Sequence, residues 1–228
     1  MTHPPRIALI HATRVAMAPI EDAARRLWPD ANLMTILEEG LSMDRQGTGD
    51  LPLALWDRIV GLARYAEGAR ADGILFTCSA FGPAIEDAAD NSPVPVMKPN
   101  EAMFDAAFSH GDRVALITTF APAAASMEAE FRAAAAQRGS AARITSVFCP
   151  GALAAKRAGD DATHDDLIAR MAADLDGFDV ILLGQFSMAG AVDAVRAATT
   201  TPVLTSPDAA INALRRRVEH AGKGPTPC

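Results

Sequence analysis

Arg6-Ile-Ala-Leu-Ile10 near the start of the chain returns as Arg113-Val-Ala-Leu-Ile117, and this recurrence decides the fold. Two further runs return in the same order, Asp72-Gly-Ile-Leu75 as Asp179-Val-Ile-Leu182 and Pro95-Val96 as Pro202-Val203. The offsets 113 − 6, 179 − 72 and 202 − 95 all equal 107. Three apolar, strand-like runs at one constant spacing predict two copies of one α/β unit, with a ligand cleft expected between the copies. Around 33–37 the match fades, because the stretch near 140–144 shares little with it, so the fourth strand of each copy is inferred.

Longer helical patterns separate the short runs, as in βαβ units with a mainly parallel sheet. Strands are expected near 6–12, 33–37, 72–77, 94–97, 113–119, 143–148, 179–184 and 202–205. Helices are expected near 18–28, 51–67, 83–89, 100–108, 122–138, 162–174, 188–198 and 207–220. The fold class is therefore α/β, with two pseudosymmetric lobes, each a four-stranded sheet flanked by helices. The helix at 207–220 is the counterpart of that at 100–108 and is expected to cross back, giving lobes of 1–108 plus 206–228 and of 109–205.

A chain of 228 residues can give each lobe its own core. Apolar runs such as Ile74-Leu75-Phe76 are too short to span a bilayer, and no secretory leader precedes Ile7, which makes the cytoplasm the expected compartment. The net charge of −7 argues against a nucleic-acid partner. The Arg215-Arg216-Arg217 cluster is better suited to a helix C-terminus. Three cysteines without paired spacing form neither a disulfide framework nor a zinc site. The chain has no G-x-G-x-x-G, G-x-x-x-x-G-K-[ST], H-E-x-x-H or C-x-x-C pattern, so neither a metal nor a cofactor is expected.

Ligands of parallel sheets bind at the carboxyl ends of strands. Four such ends pass from apolar to small polar groups: His11-Ala-Thr13, Thr77-Cys-Ser79, Thr118-Thr-Phe120 and Gly184-Gln-Phe-Ser187. The repeat pairs the first with the third and the second with the fourth. Neutral donors and helix N-termini gathered there suit the carboxylate of a small ligand. Cys78 ends a strand ahead of a helix that Pro83 starts, where a helix dipole lowers a thiol pKa; a small buried apolar role is the other reading. The buried role is favoured for Cys149, and Cys228 lies in a Pro- and Gly-rich tail without expected function. His11 is a candidate acid, base or carboxylate donor, whereas His164, in an Asp-rich helix start, reads as a solvated capping-region residue. Lys98 could place a charge at the rim, or belong to a loop in which Asn100 caps the next helix.

Phe76-Thr-Cys-Ser-Ala-Phe-Gly82, the matched Leu183-Gly-Gln-Phe-Ser-Met-Ala-Gly190 and the 107-residue repeat resemble the aspartate/glutamate/hydantoin racemase superfamily, which includes maleate isomerase and arylmalonate decarboxylase. The resemblance covers nearly the whole chain. It implies a cofactor-independent isomerase that transfers a proton on a small carboxylate through cysteine, and a homodimer or higher homo-oligomer. Racemases of that superfamily carry one cysteine per lobe, one removing the α proton and the other returning a proton on the opposite face. By position Cys78 matches the first-lobe cysteine, Ser79 the polar residue after it, and Thr118 and Thr119 the threonines that hold the carboxylate. The second cysteine is replaced by Gln185, or by Ser187 if the loop is shifted by two residues. Neither is a thiolate substitute, which puts symmetric racemisation in doubt. The catalytic candidates are thus Cys78, Gln185 and Ser187, and the substrate-binding candidates His11, Thr13, Thr77, Ser79, Thr118 and Thr119. A one-thiol decarboxylase or lyase and a non-catalytic carboxylate-binding protein are the alternatives.

Overall fold

All eight expected runs are strands in the computed structural model, which describes residues 3–45 and 51–221. Strands β1 (Arg6–His11), β2 (Asn32–Leu37), β3 (Gly73–Phe76) and β4 (Val96–Met97) form one sheet in the order β2-β1-β3-β4. Strands β5 (Arg113–Thr118), β6 (Arg143–Phe148), β7 (Val180–Leu183) and β8 (Val203–Thr205) form a second in the order β6-β5-β7-β8. Every pairing in both sheets is parallel.

The helices of the first copy are α1 (Met17–Leu27), α2 (Gly40–Arg45), α3 (Leu53–Gly68), α4 (Gly82–Asp90) and α5 (Glu101–Ala107). Those of the second are α6 (Ala121–Arg138), α7 (Ala152–Arg157), α8 (Asp161–Ala173), α9 (Val192–Ala198) and α10 (Ser206–Ala221). The short α2 and α7, and single 3-10 segments at Arg14–Ala16, Ser79–Phe81 and Phe186–Ala191, are additions to the expected elements.

Burial explains which strands the repeat revealed. The central strands β1, β3, β5 and β7 are buried along nearly their whole length, because helices cover both faces, and such strands are written as continuous apolar runs. The edge strands β2 and β6 are only partly buried and need no such run. They nevertheless belong to the repeat: Arg6 pairs with Asn32 and Arg113 with Arg143 in the same register, at an offset of 143 − 32 = 111. The longer α6, of 18 residues against 11 in α1, accommodates the shift, and β7 returns to 107.

The described residues up to Pro99, with those from Ala210 onward, form one compact unit, and Asn100–Ala209 form the other. On one face of the first sheet Ala8, Ile10, Ile74 and Phe76 pack with Ile59 of α3 and Ile85 of α4. The matched face of the second sheet, Ala115, Ile117, Ile181 and Leu183, packs with Ile168 of α8 and Val195 of α9. Each such fully buried Ile, Leu or Phe side chain contributes about 1.5–3 kcal/mol.

The opposite faces are completed by exchange. Helix α5, expected with the first lobe as part of 1–108, packs instead in the second unit, where Met103, Phe104 and Ala107 join Val114, Leu116 and Phe131. The Phe104 and Phe131 rings meet edge to face with centroids 5.4 Å apart. Helix α10 crosses to the first unit from Ala210, so the compact units divide at 99/100 and 209/210, where the repeat placed the lobe boundaries at 108/109 and 205/206. Gly73 makes room for it: a Cβ there would lie 2.7 Å from Val218 and 3.1 Å from Leu214. The crossing of α10 was expected, but the repeat could not show the placement of α5, because strand spacing does not say which sheet a helix's apolar face will fit. Arg215 of α10 donates to the carbonyl of Leu27, the last residue of α1, at 3.0 Å, as suits a cation at a helix C-terminus.

Candidate active site

The first unit assembles its candidates at the carboxyl ends of β1 and β3. Thr77 Oγ1 donates to the Ile10 carbonyl at 3.3 Å and is hydrogen-bonded to His11 Nδ1 at 2.9 Å. His11 is fully buried, and its Nε2 has no partner among the described residues. Burial pushes its pKa down to about 4, so the ring is neutral at pH 7.

Cys78, partly exposed, stands at the cap position of the Ser79–Phe81 turn, and α4 follows at Gly82 with a proline in its first turn. Burial pushes the thiol up, opposed in part by the Ala80 backbone amide and the Arg45 guanidinium. The expected lowering by a helix dipole is therefore corrected: the thiol faces a one-turn 3-10 segment, and desolvation outweighs the favourable groups. Ser79 is partly exposed on this turn. Thr13, also partly exposed, caps the turn Arg14–Ala16 that follows β1, and its side chain makes no capping bond there.

The second unit repeats the backbone and changes the groups. Gln185 caps the segment Phe186–Ala191 with φ −120° and ψ 147°, where Cys78 has −125° and 123°. Position 185 − 107 = 78 thus holds in space as well as in sequence, while Ser187, buried inside the segment, matches Ala80. Gln185 Oε1 accepts from the Thr119 backbone N–H at 2.9 Å and from its hydroxyl at 3.2 Å. With the amide oxygen committed, Nε2 must present its two N–H groups elsewhere, and it is buried without a partner among the described residues. Thr118 Oγ1, at the position matched to His11, is likewise buried and unpartnered among them. Gly184, matched to Thr77, allows the close approach: a Cβ there would lie 3.0 Å from the Ile117 carbonyl. Buried donors left unpaired cost about 1–3 kcal/mol each, which makes these groups candidates for ligand contacts.

The structure thus joins His11 to Thr77 in one unit and Thr119 to Gln185 in the other. Arg45 was missed because it lies 33 residues before Cys78, outside every strand-end motif. His164 corrects an expectation: it is fully buried with Nδ1 2.7 Å from Asp165 Oδ1, while Asp160 caps α8 by accepting from Thr163 N–H at 3.0 Å. Asn100 stands at the cap position of α5, yet its Oδ1 accepts from the Ser206 hydroxyl at 2.7 Å, and Lys98 pairs with Glu86. Cys149 is buried in the core, whereas Cys228 lies outside the described residues. Among the described residues no three His, Cys, Asp or Glu side chains gather as a metal site, and no helix is long and apolar enough to cross a membrane.

No curated protein matches the chain in sequence. Among solved structures it is similar in fold to allantoin racemase from Klebsiella pneumoniae, with a TM-score of 0.70 and 19% identity over 95% of this chain and 88% of that one. Glutamate racemase RacE1 from Bacillus anthracis gives 0.74 and 11%, over 97% and 84%. Unliganded arylmalonate decarboxylase gives 0.64 and 19%, over 97% and 94%. The sequence profile of Asp/Glu/Hydantoin racemase matches residues 11–214. With that span of the chain covered, including both strand-end motifs, the protein belongs to the Asp/Glu/hydantoin racemase family.

Proposed function

We propose that the chain is a cofactor-independent isomerase of the racemase or epimerase type that moves a proton at the carbon next to a small carboxylate, with Cys78 as the acid–base group. The observation that carries this reading is the matched pair at the turn caps, a thiol at 78 and an amide of fixed direction at 185. Removing an α proton drives charge onto the carboxylate oxygens as an enediolate. Preorganised neutral donors stabilise that charge more than they stabilise the starting carboxylate. In this reading Gln185 Nε2 and the hydroxyls of Thr118, Ser79 and Thr13 are the donors, and Thr119 holds the Gln185 amide in direction. Thr77 and His11 support the strand end from which Cys78 projects, and Ser187 backs the Gln185 turn.

A second reading, a decarboxylase or other lyase, is favoured by the same amide and by the desolvated thiol. Loss of carbon dioxide from a substituted malonate leaves an enediolate that needs one proton from one side. A thiol kept protonated by burial can give it, and a glutamine, which does not titrate, has none to offer.

Proton NMR in heavy water tests both, with aspartate, glutamate, hydantoins, maleate and substituted malonates offered to wild type and Cys78→Ala. Exchange or conversion by wild type alone supports the proposal, and the reacting compound chooses between isomerase and lyase. Shift changes without turnover in both proteins would leave a carboxylate-binding protein instead.

A further inference from the structure

Helix α2 has six residues, too few to be stable alone, so its position must be imposed from outside. Glu38, just past β2, imposes it: its carboxylate accepts the Gly40 N–H at 3.0 Å and pairs with Arg58 of α3, which also pairs with Asp44 of α2 at 2.5 Å. Gly40 lets the brace close, since a Cβ there would lie 2.7 Å from Glu38 Oε1 and 2.8 Å from Arg58 Nη2 and would push these side chains aside. The brace fixes the end of α2, and from that end Arg45 Nε donates to the Ala80 carbonyl at 3.2 Å. Ala80 is the middle residue of the turn that Cys78 caps, and its backbone amide, like the Arg45 charge, favours the thiolate. The second unit spends its corresponding cation differently: Lys156 of α7, at 45 + 111, pairs with Asp161 at 2.7 Å. A guanidinium is thus delivered to the turn that carries the thiol.

We propose that Arg45 is the positioning residue for Cys78: it clamps the Ser79–Phe81 turn through the Ala80 carbonyl and supplies the cation that stabilises the thiolate left when the sulfur gives up its proton. The inference rests on the reading of Cys78 as the acid–base group, and it explains how a thiol in so desolvated a place can titrate at all. The Arg45 charge acts on this sulfur in the direction the proposal requires.

The test needs no substrate. Iodoacetamide alkylation of Cys78 is followed against pH in the whole protein by mass spectrometry of its peptide, for wild type, Arg45→Gln and Arg45→Lys. Arg45→Gln keeps a hydrogen-bond donor without charge and is expected to alkylate about tenfold more slowly below the midpoint, with the midpoint moved up. Arg45→Lys is expected to fall between the two, because an ammonium keeps the charge and loses the planar fork. Gly40→Ala, which disturbs the brace and leaves Arg45 intact, is expected to move the profile in the same direction. Superimposable profiles for wild type and Arg45→Gln, both folded by circular dichroism, would overturn the proposal, as would a wild-type thiol that fails to alkylate up to pH 10. If the profiles coincide while Cys78→Ala still abolishes turnover, the Arg45 inference fails and the functional reading stands. A displaced profile in a protein inert to every carboxylate would give the converse.

Discussion

The turn after β3 and the turn after β7 share one backbone path and carry opposite chemistry. In the first unit, Cys78 offers a titratable thiol, with Arg45 held on its turn and a neutral His11 bonded to the residue before it. In the second, Gln185 offers an amide that cannot titrate and whose direction Thr119 has settled, with Thr118 and Gly184 standing where His11 and Thr77 stand. A duplicated scaffold therefore does not enforce duplicated function. Core positions are constrained by volume and apolarity, and they repeat closely. Strand-end positions carry little packing load and are free to diverge.

The sharpest way to break this comparison is to remove the thiol. Cys78→Ala is expected to lower turnover by about 10⁴-fold, the upper range for a positioned proton-transfer group, with thermal unfolding nearly unchanged. Comparable loss in Gln185→Ala would mean that the two turns are not specialised as described. That variant is instead expected to lose about 10²–10³-fold, as when one preorganised donor is deleted. Gln185→Cys restores the second thiol. With a chiral substrate in heavy water it is expected to exchange the α proton with loss of configuration faster than wild type, readable by chiral chromatography.

The matched pair His11 and Thr118 predicts a difference in pH response. The folded chain holds His11 neutral down to about pH 4, whereas the unfolded chain takes up its proton near pH 6.5. More protons bind to the unfolded state between those values, so this site costs nothing above pH 6.5 and increasingly destabilises the fold as pH falls towards 4. The full effect is roughly 3 kcal/mol. His11→Thr, which copies the second unit, should flatten urea-unfolding stability over that window; an unchanged slope would show that another group is responsible. The smallest effect concerns the shared scaffold. Ile10→Val and Ile117→Val, at matched and buried positions, should each cost about 1 kcal/mol in chemical denaturation, and clearly unequal costs would show the cores to be less alike than their registers.

Much of the fold was legible because burial on two faces forces continuous apolar runs. Ile7 to Ile10, Ile74 to Phe76, Val114 to Ile117 and Val180 to Leu183 could be paired across one offset for that reason. The edge strands were faint because half-exposed strands tolerate polar residues, as in Arg143-Ile-Thr-Ser-Val-Phe148. Within the candidate site, strand-end positions flagged His11, Cys78, Thr118 and Gln185, since a sheet's carboxyl edge can be read from where each run stops. His164 misled because its Asp-rich surroundings mark a helix start, yet its own ring turns into the core.

Local periodicity and the constant spacing of apolar runs were enough to establish two parallel α/β sheets, because the demand for burial acts on every residue of a central strand, and the motifs at 76–82 and 183–190 carried the family resemblance. The placement of α5 in the second unit, the direction of the Gln185 amide, the desolvation of the Cys78 thiol and the arrival of Arg45 at its turn came only with the folded chain. Each depends on contacts between segments far apart in sequence, and such contacts are selected by shape and hydrogen-bond geometry in three dimensions, which leave no period in the chain.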